Sequence, residues 1–317
     1  MKKNLLNIFI KIIISGLFLF IVFREINIHL LFEVLKNSSK SILISVILLN
    51  ILLTFLLALR WHTIIKISDK KSRYFYIWKI TMIGLFFNLF LPTGSGGDIA
   101  RIYYFVKKKE EKLKLGISVF FDRFIGSCSV IIMGVIAVIF FRKHISPEAI
   151  YAIIIIFIVL LIGWLVIIWN EFARIIGKIL PFKIKNKVVT FYYYLRDYGM
   201  NGKSVSYASS VSILVQGISI ILQYFIVKAI VPYYVFMHIS MNIFFIFVPL
   251  IWTLQIIPSI GGLGVREISY FFFFTPYIGK EHAIALDLIV FFMTITQSLV
   301  GGIVFLIHKE QADRKQH

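Results

Sequence analysis

The chain alternates long apolar runs with short, strongly basic stretches. A helix needs about 20 mostly apolar residues to cross a hydrocarbon core of about 30 Å. By that measure six spans are predicted: Leu5–Phe23, Ser41–Leu59, Gly116–Phe141, Ile150–Trp169, Tyr207–Ile230 and Ala283–Ile307. Arg24–Lys40 is short and mixed, and is expected at the membrane surface. Met1-Lys2-Lys3 before an apolar run resembles a signal peptide, but no small-residue cleavage site follows Phe23, which predicts an uncleaved first span.

Two apolar runs break this pattern. Ile80–Leu91 offers twelve residues, about 18 Å of helix, before Pro92 and the glycines Gly94, Gly96 and Gly97, followed by Asp98 and Arg101. The run from Val235 ends in the same way, at Pro258, Gly261, Gly262 and Gly264, followed by Arg266 and Glu267. Proline and glycine break helices, the first by lacking an amide donor and the second by its conformational entropy. The two prolines lie 166 positions apart and the two arginines 165, about half the chain. This spacing predicts an internal duplication.

Composition fixes the class. Of 317 residues, 59% are hydrophobic and 16% aromatic, far from the balance of a soluble domain. The net charge of +19 sits between apolar runs rather than on a polar domain, so it reads as topology signal and attraction to anionic lipid, not as a nucleic-acid surface. Arg60, Lys66, Lys70, Lys71, Arg73 and Lys79 flank the first short run on one side, with Asp69 the only acid among them. Arg101, Lys107, Lys108, Lys109, Lys112 and Lys114 flank it on the other, against Glu110 and Glu111. Both flanks are expected in the cytoplasm, so the segment between them is predicted to be a re-entrant hairpin. Broken backbone at that depth must be buried in protein or line a cavity.

The second hairpin, flanked by nearly uncharged sequence, is then expected to enter from outside. The predicted fold is an all-α polytopic membrane protein, one membrane domain over residues 1–317. It has six spans plus two re-entrant broken hairpins, arranged as inverted repeats over about 41–141 and 207–307. A basic amphipathic connector, residues 170–206, is expected on the cytoplasmic lipid surface, and both termini are expected in the cytoplasm. Inverted repeats with broken helices are a transporter pattern in which the breaks mark the binding site.

At these motifs the chain resembles the lysylphosphatidylglycerol synthase transmembrane-region family of flippase-like membrane proteins, which includes the membrane half of the multiple peptide resistance factor. The matching residues are Leu91 to Arg101, the Asp122-Arg123 pair with Gly126, and Pro258 to Glu267. Asp122 stands where that family usually has glutamate. Lysyl-lipid synthases of the family carry a soluble transferase domain after the membrane part, and ten residues follow Ile307 here. The resemblance therefore implies translocation of an anionic phospholipid or lipid-linked headgroup in the cell membrane. The competing expectation is a membrane transferase or accessory subunit acting on lipid-linked sugars or aminoacyl-phospholipids, with a partner transferase or a second copy of the chain.

Charge inside a membrane costs roughly 2.5–3.5 kcal/mol on the insertion scale, so ionisable residues there are functional candidates. Arg101, Arg123 and Arg266 suit a phosphodiester, because a guanidinium stays charged when desolvated and binds it bidentately. Asp98, Asp122 and Glu267 are expected counter-charges, in the pairs Asp98–Arg101 and Asp122–Arg123 and between Glu267 and an arginine. The glycine amides are candidate anion donors at helix N-termini. Asn88, Gln216, Gln223, Asn242, Gln255, Asp287 and Gln297 read as interhelical contacts. Cys128, the one cysteine, and His238 read as structural. No metal, cofactor, Walker loop or hydrolase triad is expected.

Overall fold

Residues 16–22, 24–90, 96–105, 112–141, 147–169, 171–172, 181–255 and 263–313 are described in the computed structural model of the chain. Among them every regular element is helical. In chain order these are α1 (Ile28–Asn37), α2 (Lys40–Ser68), α3 (Tyr74–Phe90), α4 (Gly96–Phe105), α5 (Lys112–Phe141) and α6 (Pro147–Ile168). Then come α7 (Phe182–Met200), α8 (Gly202–Ile230), α9 (Tyr233–Phe236), α10 (Asn242–Leu254), α11 (Val265–Ile278) and α12 (Lys280–Asp313).

Among the described residues four helices, α2, α5, α8 and α12, are long and apolar enough to cross a membrane by length and composition. Apolar side chains surround them almost evenly, because one side faces lipid while the other faces protein. The helices flanking the two breaks are shorter. α3 and α4 have 17 and 10 residues, α10 and α11 have 13 and 14. Even the longest of them, α3, covers about 25 Å, less than a hydrocarbon core. Most of the Leu5–Phe23 span lies outside the described residues.

Two 29-residue helices form the centre. α2 and α8 run antiparallel in contact, since the Ser39 amide donates to the Ala229 carbonyl (2.8 Å) at one end and Arg60 reaches Ser212 (3.0 Å) towards the other. Around this pair the neighbours match: α3 lies on α12 and α10 on α5; α4 lies on α5 and α11 on α12. Likewise α2 touches α3 as α8 touches α10. Small residues allow the closest approaches, as expected where dispersion rather than the hydrophobic effect holds helices together. A Cβ on Gly301 would stand 2.2 Å from the Met82 carbonyl oxygen, and one on Gly302 2.8 Å from the Phe86 ring.

The structure differs from the sequence expectation in two places. The basic flank 60–79, beyond the predicted span Ser41–Leu59, is mostly helix, because α2 continues to Ser68 and α3 begins at Tyr74. The reason is that Trp61, Ile64 and Ile65 bury one face of the α2 extension, Arg60 is buried beside Asp122, and Lys66 stays exposed. The connector 170–206 is not solely a surface element: Tyr192, Leu195 and Tyr198 of α7 are buried against α5 and α6. α1 is amphipathic, capped by Asn27 accepting from the His29 and Leu30 amides, and it packs on α12.

Candidate functional site

Two ion clusters sit at corresponding places after the two breaks. In the first, Arg101 on α4 donates through both terminal nitrogens to Asp122 Oδ2 on α5, each at 3.2 Å. In the second, Arg266 on α11 donates through Nε to Asp287 Oδ1 on α12 at 2.6 Å. Both pairs join residues 21 positions apart. Asp287 is also 165 positions from Asp122, the offset that relates the arginines.

The first cluster is built by three helices. Asp122, 2% exposed, also accepts from Arg60 of α2, Nε to Oδ1 at 2.7 Å and Nη2 to Oδ2 at 3.2 Å. Arg101 stacks its guanidinium over the Trp61 ring, 3.8 Å from the centroid. Arg123 donates its Nε to both oxygens of Asp98, at 3.2 and 3.0 Å, and Asp98 lies 3.7 Å from Arg101. The expected Asp122–Arg123 pairing is thus replaced by a crossed one. Consecutive helical residues point about 100° apart and cannot face each other.

α3 and α4 meet closely here because neither side has a Cβ in the way. A Cβ on Gly97 would lie 2.1 Å from the Gly84 carbonyl oxygen, and one on Gly84 2.7 Å from Arg101 Cγ. Asn88 Oδ1 accepts the Gly97 amide at 2.8 Å and so satisfies a donor in the first turn of α4. The Gly264 amide donates to Glu267 Oε2 at 2.6 Å, from a backbone with φ 85° that suits glycine. These two glycine amides, expected as anion donors, are therefore taken by protein oxygens. Pro92, Gly94, Pro258, Gly261 and Gly262 lie outside the described residues.

A cavity of about 180 Å³ opens on the first cluster, bordered by Arg60, Asn88, Asp98, Arg101, Asp122 and Arg123. Its three guanidiniums and two carboxylates leave one positive charge in excess. Arg123 is half-exposed, with 49% of its side chain accessible. Buried Nε of Arg101 has no hydrogen-bond partner among the described residues. The second cluster is closed: Arg266, Glu267 and Asp287 have side chains 10%, 8% and 0% exposed. Glu267 Oε1 accepts from Arg266 Nη2 at 2.5 Å, and Arg266 stacks 4.5 Å from the Phe291 ring.

The clusters stand towards opposite ends of the central pair. The first is anchored to α8 at Ser212, and beside the second Tyr270 donates to Gln223 of α8 at 2.7 Å. Eleven helical residues separate these anchors, about 16 Å along the axis.

Sequence reasoning found Arg101, Arg266, Asp98, Asp122, Arg123 and Glu267, and the structure gathers them into these two groups. It missed Arg60, which looked like the basic end of a span, and Asp287, which looked like a helix contact. The 165-residue offset from Asp122 was a usable signal for Asp287. For Arg60 the clue lies across the interface: Gly126 faces it, a Cβ there standing 3.0 Å from Arg60 Nη1. Among the described residues no group of histidine, cysteine, aspartate and glutamate is suited to holding a metal ion.

No solved structure matches the chain significantly. A UPF0104 membrane protein of Methanocaldococcus jannaschii is 32% identical over 111 residues, which is 35% of this chain and 33% of that protein. The alignment thus spans about a third of that relative's length. A family match runs through residues 8–301, covering both breaks and both ion clusters. The chain belongs to the family described as the lysylphosphatidylglycerol synthase TM region.

Proposed function

We propose that the protein translocates an anionic phospholipid or lipid-linked headgroup across the cell membrane, with its phosphate bound in the first cluster's cavity. The observation that carries this reading is the cavity's excess positive charge inside an otherwise apolar helix bundle. Arg123 would receive the phosphate first, because it is the accessible guanidinium. Arg101 and Arg60 would bind it next, with Asp122 and Asp98 holding the guanidiniums together in the empty state. A phosphate competing for these arginines would loosen the carboxylate bridges between α2, α4 and α5, coupling binding to movement.

The inverted-repeat arrangement is part of the proposal. Antiparallel α2 and α8, the matched neighbours around them and the equal spacing of the two arginine–aspartate pairs support it. The basic flanks of α3 and α4 favour the cytoplasm for the first cluster and for both termini. The first cluster would then bind headgroups on the cytoplasmic side while the second closes the outer side. We assign no bond-making chemistry to the site, since the carboxylates of the first cluster are engaged by arginines rather than free as acid or base. Membrane lipid is the proposed partner.

Thermal unfolding in detergent with short-chain lipids tests the binding step. Phosphatidylglycerol is expected to raise the unfolding midpoint of the wild type by mass action, and phosphatidylcholine to raise it less. Arg123→Gln is expected to fold and to lose the difference. Equal shifts by both lipids, or an unchanged difference in the variant, would contradict the site.

A further inference from the structure

We propose that the second cluster, Arg266–Glu267–Asp287, is a proton-binding site, with the proton carried on Asp287 Oδ2 and exchanged once per lipid moved. The exchange part rests on the translocase reading; the proton site does not.

The argument begins with charge. Two carboxylates share one guanidinium, and all three side chains are nearly or fully buried. Among the described residues no other charged group pairs with them. α10 has no ionisable residue; Lys228 of α8 and Glu33 and Lys36 of α1 are exposed at the surface. His282 of α12 is half-buried on another face of the helix, and Lys280 pairs with Glu25 at the surface. Tyr270 is the remaining titratable neighbour, and its hydroxyl donates to Gln223. One uncompensated negative charge is thus enclosed where charge is most costly.

Hydrogen bonding identifies the atom. Glu267 uses both oxygens, Oε1 for Arg266 and Oε2 for the Gly264 amide. Asp287 Oδ1 accepts from Arg266, while Oδ2 is buried with no partner among the described residues. A carboxylate oxygen left bare in that setting is stabilised by taking a proton, which makes the cluster neutral. A metal cation needs several oxygen ligands, and one free oxygen does not supply them. The two carboxylates share one guanidinium, so a single added proton neutralises the cluster and a second would leave it positive. One proton taken from water neutralises the second cluster, as one anionic headgroup neutralises the first, and return of the proton to water restores the charge.

Infrared difference spectra across a near-neutral pH step, where exposed carboxylates stay ionised, test the site in reconstituted protein. The wild type is expected to show a carboxylic C=O band that is lost in Asp287→Asn and shifted in its pH midpoint in Glu267→Gln. A band unchanged in either variant, or no band in the wild type, overturns the proposal, and so does a sodium-dependent rise in unfolding midpoint that Asp287→Asn abolishes. In vesicles, an imposed pH gradient is expected to change lipid translocation by the wild type and not by Asp287→Asn. Translocation that ignores the gradient in the wild type overturns the coupling. A band that behaves as expected with no lipid movement under any condition sinks the translocase reading and leaves the proton site standing.

Discussion

The two broken hairpins present the same arginine–aspartate pair at the same spacing and surround it with opposite charge. The first adds Arg60 and Arg123 against Asp98, ending one positive charge in excess beside a cavity; the second adds Glu267 and is closed. One position illustrates how the difference arises. Gly126 and Phe291 stand 165 residues apart, like the paired aspartates. The missing side chain at 126 leaves room for the Arg60 guanidinium, whereas the ring at 291 lies against Arg266. In the proposed reading, what stands one turn beyond the aspartate separates a cavity with excess positive charge from a closed cluster.

The largest expected effect separates the two aspartates. Asp122→Asn leaves two buried guanidiniums short of their shared carboxylate, and breaking such a pair costs about 3–5 kcal/mol. Loss of the folded peak in size-exclusion chromatography is the expected result. Asp287→Asn leaves Arg266 bound to Glu267 and removes the excess charge, so that variant is expected to remain folded. The reverse order would break the comparison.

Gly126→Phe would copy the second hairpin's ring into the first. Overpacking costs roughly 1–3 kcal/mol, and displacement of Arg60 is expected to abolish the response to phosphatidylglycerol in thermal unfolding. A variant that folds and still prefers the anionic lipid would mean that Arg60 is not part of the site. Gly97→Ala is expected to lower the unfolding midpoint, because its Cβ would stand 2.1 Å from the Gly84 carbonyl oxygen, backbone that cannot swing aside. Gly217→Ala, with nothing within 4 Å, is the control and is expected to be neutral.

Much of this was legible in the sequence. The helices α3 and α10 end at Phe90 and Leu254, shortly before Pro92 and Pro258, and the arginines that follow stand out because charge is rare in apolar runs. What was not legible depends on partners far along the chain. Arg60 ends an apolar run as any topology-setting arginine does, and only its contact with Asp122, 62 positions away, reveals its role. The Asp122-Arg123 pair misled because adjacency in sequence is not adjacency on a helix. Asp287 was hidden by its apolar surroundings although the repeat offset pointed to it.

The smallest effect is expected at the edge of the second half. Lys280 bonds Glu25 at 2.7 Å and holds that carboxyl below its ordinary value. A depressed carboxylate stabilises above its unfolded pKa, and that contribution fades as pH falls through the lowered folded value. Both groups are exposed, so Lys280→Met is expected to leave the unfolding midpoint unchanged at neutral pH. A clear drop would show that the closed half depends on its rim as well as on its buried cluster.

The central claim is tested most directly by following labelled lipids across proteoliposome membranes with wild type, Arg101→Gln and Arg123→Gln. The account predicts that the wild type moves an anionic phospholipid or lipid-linked headgroup, and that each variant loses this movement while eluting as folded protein. Wild type that moves no lipid, or arginine variants that move it as fast as wild type, would contradict it.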